Sequence, residues 1–193
     1  MRDTEGRRAR SRLAVLAAGA VVFGIAGLAL APSGTMLAAG LVAAPVAAML
    51  ALAWRRTQHT IAGELVAAVA LTGASVPVLA AGGTARTAAL AIWLGWSVGF
   101  GSTVLAIHRV IARHKRPASP IDRVTAVGLV AILVTSIAAA STCVALVIAA
   151  PLTALAAIFV IAPPAASRLR AVGFAIVAAS IGSSAVALLG AAS

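Results

Sequence analysis

The chain has 193 residues, of which 62% are hydrophobic and only 10% are charged. Charged residues make up about 25% of an ordinary soluble domain, and a soluble fold of this size cannot hide so much apolar surface behind a polar exterior. These proportions exclude a soluble enzyme, a disordered chain and a disulfide scaffold, and they predict a protein that crosses a membrane several times. The net charge of +11 comes from basic residues in short segments between apolar runs, which indicates membrane orientation rather than nucleic-acid binding.

The first apolar run covers residues 13–30 and follows an arginine-rich segment. Two interpretations fit this run: a signal peptide cleaved near residues 28–31, or an uncleaved transmembrane helix. The run is about 18 residues long, which is enough to span a bilayer. Pro32 would also directly follow the best small-residue cleavage site. The uncleaved helix is therefore favoured.

The remaining apolar runs are separated by Pro, Gly or basic residues, which commonly end transmembrane helices. A helix rises 1.5 Å per residue and needs about 20 apolar residues to cross the hydrocarbon core. The charge-free stretch 124–162 would be about 58 Å long as one helix, nearly twice the core thickness, so it is predicted to hold two helices with a turn at 140–142. The sequence thus predicts helices at residues 13–30, 36–54, 61–81, 88–108, 124–139, 143–162 and 172–189.

The basic residues predict the orientation of this bundle. With the N-terminus inside the cell, every Lys and Arg except Arg86 falls in the N-terminal tail or in a cytoplasmic loop. One helix over 124–162 would instead place Arg168 and Arg170 outside. We therefore predict an all-α bundle of about seven helices, N-in and C-out, which forms a single transmembrane domain over residues 1–193 in the bacterial inner membrane. Six helices remain an alternative if the first run is cleaved or one segment is re-entrant.

Small residues and prolines indicate how the helices pack. Gly95 and Gly99 are four positions apart in the fourth helix and form a flat face that suits either internal packing or a dimer seam. Pro45, Pro77 and Pro151 each remove one backbone hydrogen bond and free a carbonyl. Such kinks line cavities in transporters, but they also occur as packing features.

Two tryptophans of the fourth helix are candidates for lining a cavity. Trp93 and Trp96 are three positions apart and so share one face of the helix. One interpretation is packing between helices. The other is an aromatic wall for a lipophilic ligand, with Pro77 as a further lining residue.

Glu64 is the only acidic residue within any predicted helix. Acidic residues inside a membrane are costly and commonly mark a functional site. Glu64 lies about 4.5 Å along the helix from Ile61, however, which is shallow enough for a structural ion pair with Arg55 or Arg56. Both roles stay open at this point.

Two histidines are predicted at the same membrane level as Glu64. His59 precedes the third helix and His108 ends the fourth, and the short loop between these helices predicts antiparallel packing. Glu64, His59 and His108 can then form one polar cluster that relays protons. The cluster has no recognised metal-ligand spacing, so no metal is predicted. The sequence identifies no cofactor and no catalytic residue.

From about Arg55 onward the chain resembles the YwiC-like family of integral membrane proteins. The similarity lies in residues 61–65, in the Pro77 helix, in residues 93–109 and in residues 168–174. The family's opening His-Gly-Ala-Trp motif and the Glu-Arg and Asn-Asp pattern of its middle loop are absent here. Only Glu64 matches a position that can be transferred. The resemblance implies a multi-helix membrane protein whose activity is unassigned.

Three functions are compatible with this sequence. The favoured one is non-enzymatic handling or transport of a small or lipophilic molecule, which the kinked helices and Glu64 indicate. The second is a membrane enzyme that acts on a lipid at the cytoplasmic face through Glu64 with His59 or His108. The third is an accessory subunit that packs through Gly95 and Gly99. The predicted partners are membrane lipids and either a second copy or a membrane complex, but no nucleic acid.

Overall fold

The computed structural model describes residues 15, 18–19, 21–113, 128, 144–165 and 168–192, and these ranges contain only helices and connecting turns. The helices are α1 (Val21–Leu30), α2 (Ser33–Trp54), α3 (Ile61–Gly73), α4 (Ser75–Ala81), α5 (Arg86–Arg113), α6 (Val144–Ile161) and α7 (Leu169–Ala192). The predicted all-α class is confirmed for this part of the chain.

Four helical stretches are long and apolar enough to cross a membrane: Ser33–Trp54, Ile61–Ala81, Arg86–Ile111 and Arg170–Ala187. Two further apolar helices, Val21–Leu30 and Val147–Ile161, are shorter. The helix predicted at 124–139 and the turn at 140–142 lie outside the described residues, apart from position 128. The count of seven helices and the N-in, C-out topology therefore stay predictions.

The structure corrects the end of one predicted helix and adds a break inside another, whose bounds at residues 61 and 81 are as predicted. The fourth predicted helix was expected to end at His108, but α5 continues to Arg113. Arginine is a good helix former, and the first proline after His108 is Pro117, so the basic residues extend the helix. The third predicted helix, 61–81, is divided at Ala74 into α3 and α4.

The division at Ala74 follows from the proline three positions later. Pro77 has no N–H, so the carbonyl of Gly73 loses its helical donor and the chain departs from regular geometry before the proline. The Ser75 hydroxyl donates to the Thr72 carbonyl at 2.8 Å. Side chains thus supply part of the hydrogen bonding at the break, and α3 and α4 remain one span.

The link between α2 and α3 is a tight turn. Arg56 has a φ of 56°, the only positive φ of a non-glycine residue in the described ranges, and the Thr57 N–H donates to the Leu52 carbonyl at 2.9 Å. This left-handed ending of a helix is usually made by glycine. Thr60 then caps α3 by accepting the Gly63 N–H at 3.1 Å. A Cβ on Gly63 would lie 2.6 Å from the Thr57 carbonyl oxygen, so the close approach of the turn requires a glycine.

The helices pack mainly against their neighbours in the chain. Helix α2 contacts α3 and α4, which contact α5, while α5 packs extensively on α6 and α6 contacts α7. One buried apolar cluster joins α2, α4 and α5 through Ala38, Val42, Val76 and Ala89. A second joins α5, α6 and α7 through Ala106, Val110, Ala156, Phe159, Val160 and Val172. The two clusters hold opposite ends of α5, so α5 is the central element among the described helices.

Gly99 allows α5 to approach α6 closely. A Cβ at this position would lie 2.9 Å from Leu152 Cδ1 and 3.1 Å from Leu152 Cβ. Gly95, one turn earlier, is also buried. Gly99 therefore serves internal packing, which was one of the two interpretations, and its surface is not available for a dimer seam.

We expect Gly99→Ala to lower the stability of the protein. The added methyl group must displace Leu152, and overpacking of this kind costs about 1–3 kcal/mol. Alanine otherwise favours a helix over glycine by about 0.5–1 kcal/mol. Gly173→Ala in α7 is the matched control because nothing lies within 4 Å of its added Cβ, and it should raise stability. Thermal unfolding in detergent measures both variants, and a raised melting temperature for Gly99→Ala would contradict the close packing.

Candidate functional site

Glu64 and His108 form a direct contact between α3 and α5. Glu64 lies in the first turn of α3, where the helix dipole favours a carboxylate. His108 lies in the last turns of α5, and its Nε2 is 2.8 Å from Glu64 Oε2. The side chains are 40% exposed for Glu64 and 28% exposed for His108. The pair is thus half-buried and remains accessible to small molecules and to protons.

One end of the helices carries most of the described positive charge. The end of α5 packs against the beginning of α7 there, and the turn that follows α2 leads into the first turn of α3 beside it; we refer to this end as the basic end. Its arginines with described positions are Arg55, Arg56, Arg109, Arg168 and Arg170. Arg86 lies at the opposite end, beside the first turns of α2. The Glu64–His108 pair belongs to the basic end.

The structure does not bring His59 into the predicted cluster. Its ring nitrogen lies 3.2 Å from Gln58 Nε2, on an exposed part of the turn. In the described ranges it has no hydrogen bond or ion pair with Glu64 or His108. The left-handed Arg56 gives this turn its direction, which the sequence pattern did not reveal. Within the same ranges, no three His, Cys, Asp or Glu side chains are placed to hold a metal ion.

A cleft of about 620 Å³ begins at Glu64 and runs between α3 and α5, with α7 at its edge. Its lining residues are Glu64, Ala67, Ala68, Leu71, Thr72, Ser75, Trp96, Phe100, Val104 and Ser180. Glu64 and Ser75 are eleven positions apart, so the cleft extends about 16 Å along the span. Its walls are predominantly apolar, and Glu64 is the only ionisable residue among those that line it.

Aromatic side chains from α5 form one wall of the cleft. Trp96 and Phe100 stack with their ring centroids 5.5 Å apart and an interplanar angle of 21°. Val104 continues the same helix face one turn further on. Trp96 was a candidate lining residue from the sequence, whereas Phe100 and Val104 were not. Phe100 and Val104 follow Trp96 at intervals of four residues, and this spacing, which places all three on one helix face, could have identified them.

Trp93 does not line this cleft, although it was predicted to share a wall with Trp96. Its Nε1–H donates to the Val69 carbonyl at 2.9 Å, and its ring lies against Gly73. Trp93 therefore joins α5 to α3 on the side that faces α2. Trp93 therefore follows the first of its two interpretations, packing between helices, and only Trp96 lines the cleft.

Pro77 lines a different cleft. This second cleft has a volume of about 340 Å³ and lies between α1, α2 and α4. Thr35 also lines it, with a hydroxyl that is buried and has no hydrogen-bond partner. Pro77 therefore lines a cleft other than the one that holds Trp96 and Glu64.

Hydroxyl groups at the inner end of the main cleft are already engaged within the protein. Thr72 Oγ1 donates to the Ala68 carbonyl at 2.8 Å and lies 3.0 Å from Ser97 Oγ. The Ser75 hydroxyl is bonded to the Thr72 carbonyl. Ser180 Oγ donates to the Ile176 carbonyl at 2.9 Å. The carboxyl group of Glu64 is therefore the strongest hydrogen-bonding group in the cleft that is still available to a ligand.

Comparison with known proteins gives no family assignment. No protein-family model matches the chain, and no curated protein or solved structure is significantly similar to it. The function has to be argued from the chemistry of the cleft.

Proposed function

We propose that this chain is a seven-helix protein of the bacterial inner membrane, N-in and C-out, that binds or transports a small lipophilic molecule and is not an enzyme. The single observation that carries the proposal is the apolar cleft that ends at Glu64. Its volume lies within the range of about 300–1,000 Å³ that is typical of small-molecule sites. A largely apolar lining with few polar groups is also typical of such sites.

The distribution of arginines supports the proposed orientation. All described arginines except Arg86 lie at the basic end, and Arg and Lys are enriched on the cytoplasmic side of membrane proteins. With this orientation the Glu64 end of the cleft faces the cytoplasm. A molecule that enters there would move toward the α3–α4 break.

The break between α3 and α4 favours handling or transport over a passive packing role. Thr72 and Ser75 flank the break at Ala74 and line the inner end of the cleft. Interrupted helices recur at the binding sites of transporters, because they place irregular backbone beside a cavity. A single carboxyl group without a nucleophile or a second acid beside it gives little support to an enzyme.

Membrane lipids are the partners that we propose for the exposed apolar surface of the helices. A second copy of the chain or another membrane subunit is a further proposal. Membership of the YwiC-like family, which rests on the segments around Glu64, Pro77 and Arg168, also stays a proposal.

Contact quenching of Trp96 tests the proposed site. The chain has three tryptophans, and Trp54→Phe with Trp93→Phe leaves Trp96 as the only emitter. We expect 4-bromobiphenyl, whose bromine quenches on contact, to reduce this emission in a saturable manner. The control retains only Trp54, which is 91% exposed and lies outside the cleft. Non-saturable and equal quenching of the two proteins would reflect partition into detergent and would contradict the proposal.

A further inference from the structure

We propose that the cleft takes a monovalent organic cation with an apolar or aromatic body, and that, when His108 is protonated beside Glu64, binding of the cation releases this proton. This inference rests on the proposed function, since it names the class of molecule that the cleft would take. Three features support the proposal: the lining of the cleft, the free oxygen of Glu64 and the charge balance of the Glu64–His108 pair.

The lining of the cleft selects for an apolar body with one positive group. The hydroxyls of Thr72, Ser75 and Ser180 are engaged with backbone carbonyls, so they offer little to a strongly polar ligand. An anionic ligand would face the Glu64 carboxylate, and a neutral ligand would leave that carboxylate without a new partner. A cation satisfies the carboxylate, and its apolar body can extend from Glu64 along the apolar walls toward Trp96.

Glu64 can accept a cation without giving up its present contact. Oε2 is the oxygen that meets His108, and Oε1 has no hydrogen-bond partner in the described part of the chain. Glu64 itself lines the cleft. A positive group at Oε1 would therefore lie inside the cleft while His108 stays on Oε2.

The charge of the pair links cation binding to proton release. With His108 protonated, the pair has no net charge, whereas a bound cation beside a protonated His108 would leave one surplus positive charge. Two positive groups on the same half-buried carboxylate repel each other, so binding of the cation favours loss of the proton. The N–H bond of the imidazolium breaks, its electron pair stays on the nitrogen, and the proton passes to water at the basic end. The bound state then holds the cation, the carboxylate and a neutral imidazole.

Glu64 is the only acidic residue on the described elements that pack near His108. Helices α4 and α6 have no ionisable residues, and α3 has only Glu64. The guanidinium of Arg170, on α7, lies 5.8 Å from the ring centroid of Phe174. Arg109 follows His108 on α5 and has interactions of its own. Arg55, Arg56 and His59 are on the turn before α3, where Arg55 and Arg56 are exposed. These positive groups oppose a second positive charge in the cleft and so reinforce the exchange.

Probes of equal shape and opposite charge test the ligand class. Tetraphenylphosphonium and tetraphenylborate are the charged probes, and triphenylphosphine oxide is the neutral reference, all titrated against the full chain in detergent. We expect tetraphenylphosphonium to bind at least about tenfold more tightly than tetraphenylborate or triphenylphosphine oxide. Glu64→Gln should remove most of this preference, and Glu64→Asp should retain it. Equal affinities for the three probes, or a preference that survives Glu64→Gln, would overturn the proposal.

Calorimetry in two buffers of different ionisation enthalpy tests the proton release. At a pH where histidine is mostly protonated, we expect about one proton to leave per bound tetraphenylphosphonium. His108→Gln should bind this probe with no proton release. His59→Gln is the matched control and should release protons like the native protein. Release that persists in His108→Gln would assign the proton to another group and would overturn the exchange.

The proposed function and the cationic ligand class can fail separately. If none of the three probes binds, or if binding of tetraphenylphosphonium is unchanged when Ala67→Phe fills the cleft, the proposed function is wrong. If the neutral probe binds in the cleft but the cation is not preferred, only the cationic ligand class is wrong.

Discussion

Ala67→Phe should weaken binding of 4-bromobiphenyl to the cleft by at least about tenfold. Ala67 lines the cleft one turn of α3 beyond Glu64 and is only half-buried, so a larger side chain can occupy the open volume without entering the core. The phenyl ring would take part of the space that an apolar ligand needs between Glu64 and Trp96. Loss of an apolar contact of this size corresponds to 1.4 kcal/mol or more, which is about a tenfold change in affinity.

Binding is measured by quenching of Trp96 in the background that lacks the other two tryptophans. Ala67→Leu fills less of the cleft and should give an intermediate loss. Ala178→Phe on α7 is the matched control, because Ala178 is exposed and does not line the cleft. An Ala67→Phe protein that binds the probe as tightly as Ala178→Phe would place the binding site elsewhere.

Gly63→Ala should lower stability and also displace the start of α3. The added Cβ would lie 2.6 Å from the Thr57 carbonyl oxygen and 2.8 Å from Gln58 Cα, and neither backbone atom can rotate away. The turn must therefore shift, and the cap that Thr60 gives to the Gly63 N–H is weakened with it. Overpacking costs about 1–3 kcal/mol, and a helix cap contributes about 1 kcal/mol more.

Thermal unfolding in detergent measures the loss of stability, and Gly40→Ala in α2 is the control because nothing lies within 4 Å of its added Cβ. The cation preference of the cleft gives a second measurement. Since Glu64 follows Gly63 directly, a shifted turn should reduce the preference for tetraphenylphosphonium. Unchanged unfolding and unchanged preference in Gly63→Ala would show that the turn does not hold Glu64 in place.

Long apolar runs and their interruptions made much of the fold predictable. Hydrophobic length and the positions of Pro and Gly located the described helices to within a few residues. The contact between Glu64 and His108 followed from topology, because a short connection places the beginning of one helix beside the end of the next. The antiparallel arrangement of two consecutive helices is enough to predict such a contact without knowledge of the side-chain positions.

The details that depend on helix rotation and on turn conformation were not predictable. The spacing of Trp93 and Trp96 places them on one face of the helix. In the structure, however, Trp93 donates to the Val69 carbonyl of α3, whereas Trp96 lines the cleft. Arg56 adopts a backbone conformation that glycine usually adopts, so no sequence pattern indicated the direction of the turn that carries His59. Ser180 reaches the cleft only through the packing of α7, which no local pattern encodes.

The contact between Glu64 and His108 has a consequence for how the protein is made. The two residues are 44 positions apart, which a ribosome needs about 2–9 s to cover at 5–20 residues per second. During that interval Glu64 has already been synthesised and its partner has not. Because Glu64 is within the first turn of α3, its carboxylate can remain hydrated by the headgroup layer until α5 arrives. The shallow position of the acid thus makes an ordered, helix-by-helix insertion feasible, whereas a carboxylate at the bilayer centre would require both helices to enter together.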